Sequence, residues 1–95
     1  MMKEQDITLT LYITGQTPRS EQAVAHVRRL CASRWADRCT LDVIDVLEAP
    51  QRAEEDKIVA TPTLIKVTPP PVRRIIGDFS QTEQVLEQLE LSEKA

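Results

Sequence analysis

Residues 7–13 (ITLTLYI) are rich in β-branched side chains and alternate only weakly, the pattern of a buried strand. Gly15, Gln16, Thr17 and Pro18 then stop it. Thr17 suits an N-cap and Pro18 the first helical position, where its missing N–H costs nothing. From Pro18 to about Trp35 the period is helical: Val24, Val27, Leu30, Cys31 and Arg34 or Trp35 recur at three- and four-residue steps. Gln22, His26, Arg29 and Ser33 make the opposite, polar stripe, which sets the single histidine on the wet face as a solvated side chain. Residues 40–46 (TLDVIDV) alternate again. Leu41, Val43 and Asp45 fall on one side of this second strand and Asp42, Ile44 and Val46 on the other.

The second half reads less firmly. Pro50 opens a short charged helix through Lys57, but Ala49 is a poor N-cap and the carboxylates lie mid-segment, away from the helix start. This helix is expected to be the least stable element. Residues 63–67 form a third strand behind Thr61 and Pro62, and residues 72–77 (VRRIIG) a fourth. Between them Pro69, Pro70 and Pro71 predict a stiff, extended polyproline connector. Ser80 and Glu83 have the spacing of a capping box for a last helix, in which Val85, Leu86 and Leu89 carry the apolar face. Residues 1–6 and 92–95 are expected to fray.

The order is β-α-β-α-β-β-α in one α/β domain spanning residues 1–95. The first βαβ unit requires parallel strands with a right-handed crossover, and the last two strands can pair as an antiparallel hairpin. The result is a four-stranded mixed sheet with helices on its faces, the thioredoxin-like architecture. A chain of 95 residues fits a single domain. With one Trp, one Tyr and one Phe, its core must come from Val, Ile, Leu and Ala.

Charge narrows the function classes. The formal net charge of −3 sits wholly in residues 80–95, where Glu83, Glu87, Glu90 and Glu93 face Lys94 alone. Without a basic surplus, nucleic-acid binding lacks its main source of affinity. No apolar run approaches the length of a membrane span, and the charged start lacks the apolar stretch of a signal peptide, so a cytoplasmic address is expected.

The scaffold is that of a redox protein, but its chemistry is missing. A redox thioredoxin keeps its reactive thiol at the start of the first helix, where the helix N-terminus stabilises the thiolate. Here that stretch, residues 15–20, holds no cysteine, and Ser20 has no base in sequence range to activate it. Cys31 and Cys39 are too few and too widely spaced for a zinc site or a C-x-x-C pair; they read as buried or half-buried free thiols in a reducing compartment, with a regulatory disulfide as the less favoured alternative. No metal, no cofactor and no disulfide reductase activity are expected. An enzyme of the thiol or glutathione-transferase type on the same scaffold is the alternative; nothing here activates a thiol, and the usual second domain of such a transferase is missing. A detached sensor domain that simply dimerises is a third reading. Pro62 stands where thioredoxin-like folds commonly place a cis-proline before the third strand; on local sequence, cis and trans fit equally.

Four stretches carry a resemblance that covers about four-fifths of the chain: residues 11–18 (LYITGQTP), 43–47 (VIDVL), 53–64 (AEEDKIVATPTL) and 69–78 (PPPVRRIIGD). Together they closely resemble the KaiB family of the bacterial circadian clock. The resemblance implies a non-catalytic regulator that docks on the N-terminal ATPase ring of a KaiC-type protein. It implies displacement of a KaiB-like sensor histidine kinase from that ring and, in cyanobacteria, sequestration of KaiA. It places the partner surface at Lys57, Ile58, Pro70, Pro71, Arg73 and Arg74, where the two arginines must point to opposite faces of one strand.

The family also switches folds, between the thioredoxin-like monomer and a tetramer ordered β-α-β-β-α-α-β. The two forms disagree about the segment of Ser80, Glu83, Val85, Leu86 and Leu89: helix in the first, strand in the second. Its Glu and Gln content and its capping-box spacing favour the helix. The expected resting state is therefore the thioredoxin-like form with Pro62 cis, as a monomer or weak dimer, with the tetramer as the alternative. Ala49 stands where the family often has Asn before the proline, and the C-terminal segment is shorter and richer in Glu and Gln.

Overall fold

A computed structural model describes residues 6–91. The elements are β1 (Ile7–Ile13), α1 (Pro18–Trp35), a 3-10 turn (Ala36–Arg38), β2 (Cys39–Asp45), α2 (Pro50–Glu55), β3 (Thr63–Thr68), β4 (Arg73–Ile76) and α3 (Thr82–Gln88). The sheet order is β2-β1-β3-β4. Strands β1 and β2 run parallel, whereas β3 is antiparallel to both β1 and β4. This is the thioredoxin-like arrangement expected from the sequence, and α3 is helical.

Strand alternation divides the core between the two sheet faces. Leu9, Leu11 and Leu64 turn to the face covered by α1 and α3, where they join Val27, Leu30, Trp35, Val85, Leu86 and Leu89 in one buried cluster. Tyr12, Ile44 and Ile65 turn to the other face, a smaller cluster covered by Ala53 of α2 and by Val46, Ala49 and Ile58 beside it. The first helix starts as its sequence dictates: Thr17 accepts a hydrogen bond from the Ser20 N–H at 3.1 Å, with Pro18 next. Gly15 makes the preceding turn at φ 65°, a left-handed conformation that suits glycine. Its N–H donates to Asp45 Oδ1 at 3.0 Å, which ties the β1 end to the β2 end.

Three local expectations are corrected. The capping box of Ser80 and Glu83 does not form. Helix α3 begins at Thr82 with Gln81 at its cap and no side-chain cap bond. The Ser80 N–H is taken by Asp78 Oδ1 at 2.9 Å, and Glu83 instead approaches Arg34 at 3.5 Å. The proline connector is a bend and not an extended polyproline segment; the Thr68–Pro69 and Pro70–Pro71 bonds are cis, as is Thr61–Pro62. Cys31 and Cys39 are not free thiols. They form a disulfide that ties the last turns of α1 to the first residue of β2, with Cα atoms 5.6 Å apart. Spacing alone hid this pair, because the 3-10 turn folds the chain back between them.

Candidate docking surface

Helix α2 has no side-chain cap at Ala49 and gains little from its own backbone. It is held from below: the Tyr12 hydroxyl donates to the Asp56 carboxylate and lies 3.3 Å from the Arg52 carbonyl. Burial, then the hydrogen bond to Asp56, pushes the Tyr12 pKa up to about 12, so the phenol stays protonated and keeps donating throughout the neutral range. Helix α2 closes with two backbone bonds, Lys57 N–H to Glu54 carbonyl and Ile58 N–H to Ala53 carbonyl. This Schellman closure puts Lys57 at φ 54°, a left-handed position that costs a non-glycine residue about 1–2 kcal/mol. The turn sends Ile58 inward, onto the Tyr12 cluster, and leaves Lys57 and Val59 outside. Val59 is 87% exposed.

Strand β4 is the free edge of the sheet beside this turn. Alternation puts Arg74 and Ile76 on the α2 face and Arg73 and Ile75 on the α3 face. Arg74 Nη1 approaches the Lys57 carbonyl at 3.5 Å, so Lys57 and Arg74 meet over the open end of this face. Ile76 is 53% exposed there. By the same alternation Val67 of β3 falls on this face; Val67 and Val72, the residue before β4, are both exposed. Helix α2 covers the middle of the sheet and stops short of its β4 edge. What remains uncovered is an apolar strip with two cations beside it.

Of the six residues that resemblance put at the partner surface, the fold brings Lys57, Ile58 and Arg74 together, Ile58 half-buried beneath the turn. Pro70 and Pro71 stand exposed in the connector before β4. Arg73 faces the other way and is engaged: its Nε and Nη2 donate to Glu90 Oε2 at 2.8 and 2.6 Å. Sequence reasoning missed Val59, Val72 and Ile76. The period-2 pattern of residues 72–76 carried a signal for two of them, since Val72, Arg74 and Ile76 share parity.

Beneath Arg73 lies an unexpected group. Lys66 sits opposite Arg73 in the β3–β4 register, is fully buried, and its Nζ has no hydrogen-bond partner among the described residues. Burial lowers its pKa, Arg73 adds to that, and Glu90 opposes it. A buried amine without a hydrogen-bond partner costs stability.

The site that a thioredoxin would use is a hollow of about 290 Å³ at the start of α1, lined by Arg19, Gln22, His26, Pro62, Asp78 and Phe79 among others. It holds no thiol. His26, expected on the wet face away from any partner, is half-buried here, with Asp78 among the lining residues. The Asp78 carboxyl is held below its ordinary pKa, first by the Ser80 backbone N–H and then by the Ser80 hydroxyl, with smaller help from His26 and Arg19. Among the described residues, no group of three His, Cys, Asp or Glu side chains could hold a metal, and no helix is long and apolar enough to cross a membrane.

Comparison with known proteins agrees with the resemblance read from the sequence. The chain is 59% identical over 80 residues to "Circadian clock protein KaiB3" of Synechocystis sp. (strain ATCC 27184 / PCC 6803 / Kazusa), covering 84% of this chain and 78% of that one. It is 55% identical over 83 residues to "Circadian clock oscillator protein KaiB" of Prochlorococcus marinus (strain NATL2A), covering 87% and 78%. Among solved structures, the N-terminal domain of Synechococcus elongatus SasA superposes with a TM-score of 0.75 at 27% identity, over 100% of this chain and 93% of that one. Mitochondrial thioredoxin 3 of Saccharomyces cerevisiae superposes at 0.70 and 18% identity, over 93% and 80%, a likeness of fold alone. Residues 10–91 match the sequence model of the KaiB domain, and the chain belongs to the KaiB family of circadian clock proteins.

Proposed function

We propose that this chain is a non-catalytic clock regulator that docks on the N-terminal ATPase ring of a KaiC-type protein through the open end of the α2 face. There it controls the phosphorylation cycle of the ring or its output signalling. One observation supports this most: Val59 and Ile76 are exposed beside Lys57 and Arg74, on a sheet edge that no element among the described residues covers. Buried apolar anchors give such an interface its affinity, and the flanking cations set on-rate and partner choice. The likeness to the SasA domain supports competition with a KaiB-like sensor kinase, because two domains of one shape suit one docking site. KaiA is a further partner only where the system holds it. The chain works in the cytoplasm as a monomer or weak dimer, and the family's switch to the tetramer would unmake α3.

The test is a titration of a KaiC-type ring, with nucleotide, against the native chain and two variants. Arg74→Glu and Lys57→Ala each weaken binding, by about tenfold for the charge reversal. Thr40→Ala, on the far edge strand, leaves it unchanged. Native affinity in both docking variants would remove this surface from the account.

A further inference from the structure

The Cys31–Cys39 bridge has no part in the docking surface. It lies at the end of α1 and on β2, the edge strand opposite β4. It is also about 20 Å along α1 from the helix start where a thioredoxin carries its thiols. Three observations bear on its chemistry. The two cysteines line an open hollow of about 360 Å³ whose other walls are Arg28, Ala32, Ala36 and Leu41. Cys39 is half-buried and Cys31 buried, so the two sulfurs are unequally accessible. Between them the chain holds Ala36 at φ 50° and ψ −123°, a conformation that favours glycine, next to Trp35, which is 3% exposed.

We infer that this disulfide is a thiol–disulfide exchange site, opened by a dithiol reductant of the thioredoxin class that attacks at Cys39. The incoming thiolate bonds to Cys39 Sγ, and the Cys31–Cys39 bond breaks. Cys31 leaves as a thiolate and takes a proton from solvent. Arg28, one turn earlier on α1 and in the same hollow, favours that departing anion. The second thiol of the reductant then attacks its own sulfur in the mixed disulfide and releases Cys39, which is protonated in turn. Two electrons and two protons pass to this chain, and the reductant ends as a disulfide. Reduction frees the 32–38 segment from covalent closure, so the left-handed Ala36 and the last turn of α1, with Trp35, are held by packing alone. The oxidised and reduced chains therefore differ in stability at the β2 edge and agree at the β4 edge.

The experiment starts from the full chain oxidised with glutathione disulfide and treats it with thioredoxin, thioredoxin reductase and NADPH under native conditions. Iodoacetamide labelling and mass spectrometry then count the thiols. The oxidised chain takes no label. After thioredoxin both cysteines are labelled, and the melting temperature falls by several degrees. A Cys31→Ser, Cys39→Ser double variant melts at one temperature under both treatments. A thioredoxin that lacks its second active-site cysteine traps the mixed disulfide, and peptide mass spectrometry finds it joined to Cys39, which locates the attack. Free thiols after the oxidant, or a bridge that yields to thioredoxin only in denaturant, would overturn the proposal. A trapped thioredoxin joined to Cys31 would overturn the assignment of the attacked sulfur.

Discussion

Helix α1 runs for 18 residues from a hydroxyl cap, whereas α2 and α3 run for six and seven residues and neither has a side-chain cap. The contrast extends to the halves of the chain these helices belong to. The β1-α1-β2 half is a parallel unit whose helix start, turn and helix end are each fixed: by Thr17, by Asp45 holding Gly15, and by the Cys31–Cys39 bridge. All three helices are followed by a non-glycine residue at positive φ, Ala36, Lys57 and Glu90, but only the turn at Ala36 is spanned by a disulfide. The core beneath α3 contains an unpaired lysine. Among the described residues, four of the five exposed large apolar side chains, Val59, Val67, Val72 and Ile76, lie in the half from α2 to α3. Local rules specify the first half. The second is assembled mainly by tertiary burial of Val85, Leu86, Leu89 and Ile58, and it carries the proposed docking surface. Docking regions are drawn from the less stable part of a fold.

The contrast predicts that the second half stabilises when its misfit is removed. Lys66→Met replaces the buried amine with an apolar group of similar shape, and urea denaturation near neutral pH should show a gain of about 1–3 kcal/mol. The pH dependence has a definite sign. In the unfolded chain Lys66 binds a proton below about 10.5, whereas in the folded chain burial lowers its pKa, so unfolding takes up a proton. This group's contribution to native stability therefore grows as pH rises towards the ordinary lysine value and shrinks on acidification. The Met variant should lose that slope. An unchanged slope would mean that Lys66 finds a charged partner in solution.

A smaller effect separates the helix starts. Thr17→Ala should cost about 1 kcal/mol, the usual loss of an N-cap, whereas Ser80→Ala should stay within about 0.5 kcal/mol because its hydroxyl caps nothing. Equal losses on thermal melting would restore the capping box at α3 and erase part of the contrast.

The same division governs what could be read from the sequence. The start of α1, the strand alternation in β2 and the parallel βαβ unit rest on short-range rules, and each appears as expected. The capping box failed because Asp78, two residues before Ser80, takes the N–H of Ser80, and α3 starts at Thr82. Spacing suggested that box, but competition between neighbouring acceptors decided against it. The disulfide was the less favoured reading of Cys31 and Cys39 because it depends on how a 3-10 turn folds the chain back, which no motif records. Lys66 was half legible: its parity with Leu64 put it on a core face, but only the register against Arg73 and the arrival of Glu90 show that it is sealed there. For the docking surface, resemblance supplied Lys57 and Arg74. That they meet, and that Arg73 turns away, required the fold.

Native-state hydrogen exchange measures the difference between the halves most directly, by reading the opening free energy of each amide under conditions that keep the chain folded. The account predicts that the amides of Ile58 and of Val85 to Leu89 open at a free energy lower, by about 1–2 kcal/mol or more, than those of Leu9, Leu11, Val27 and Leu30, which should open only with global unfolding. A single opening energy shared by α3 and α1 would contradict it, because the two halves would then be one cooperative unit.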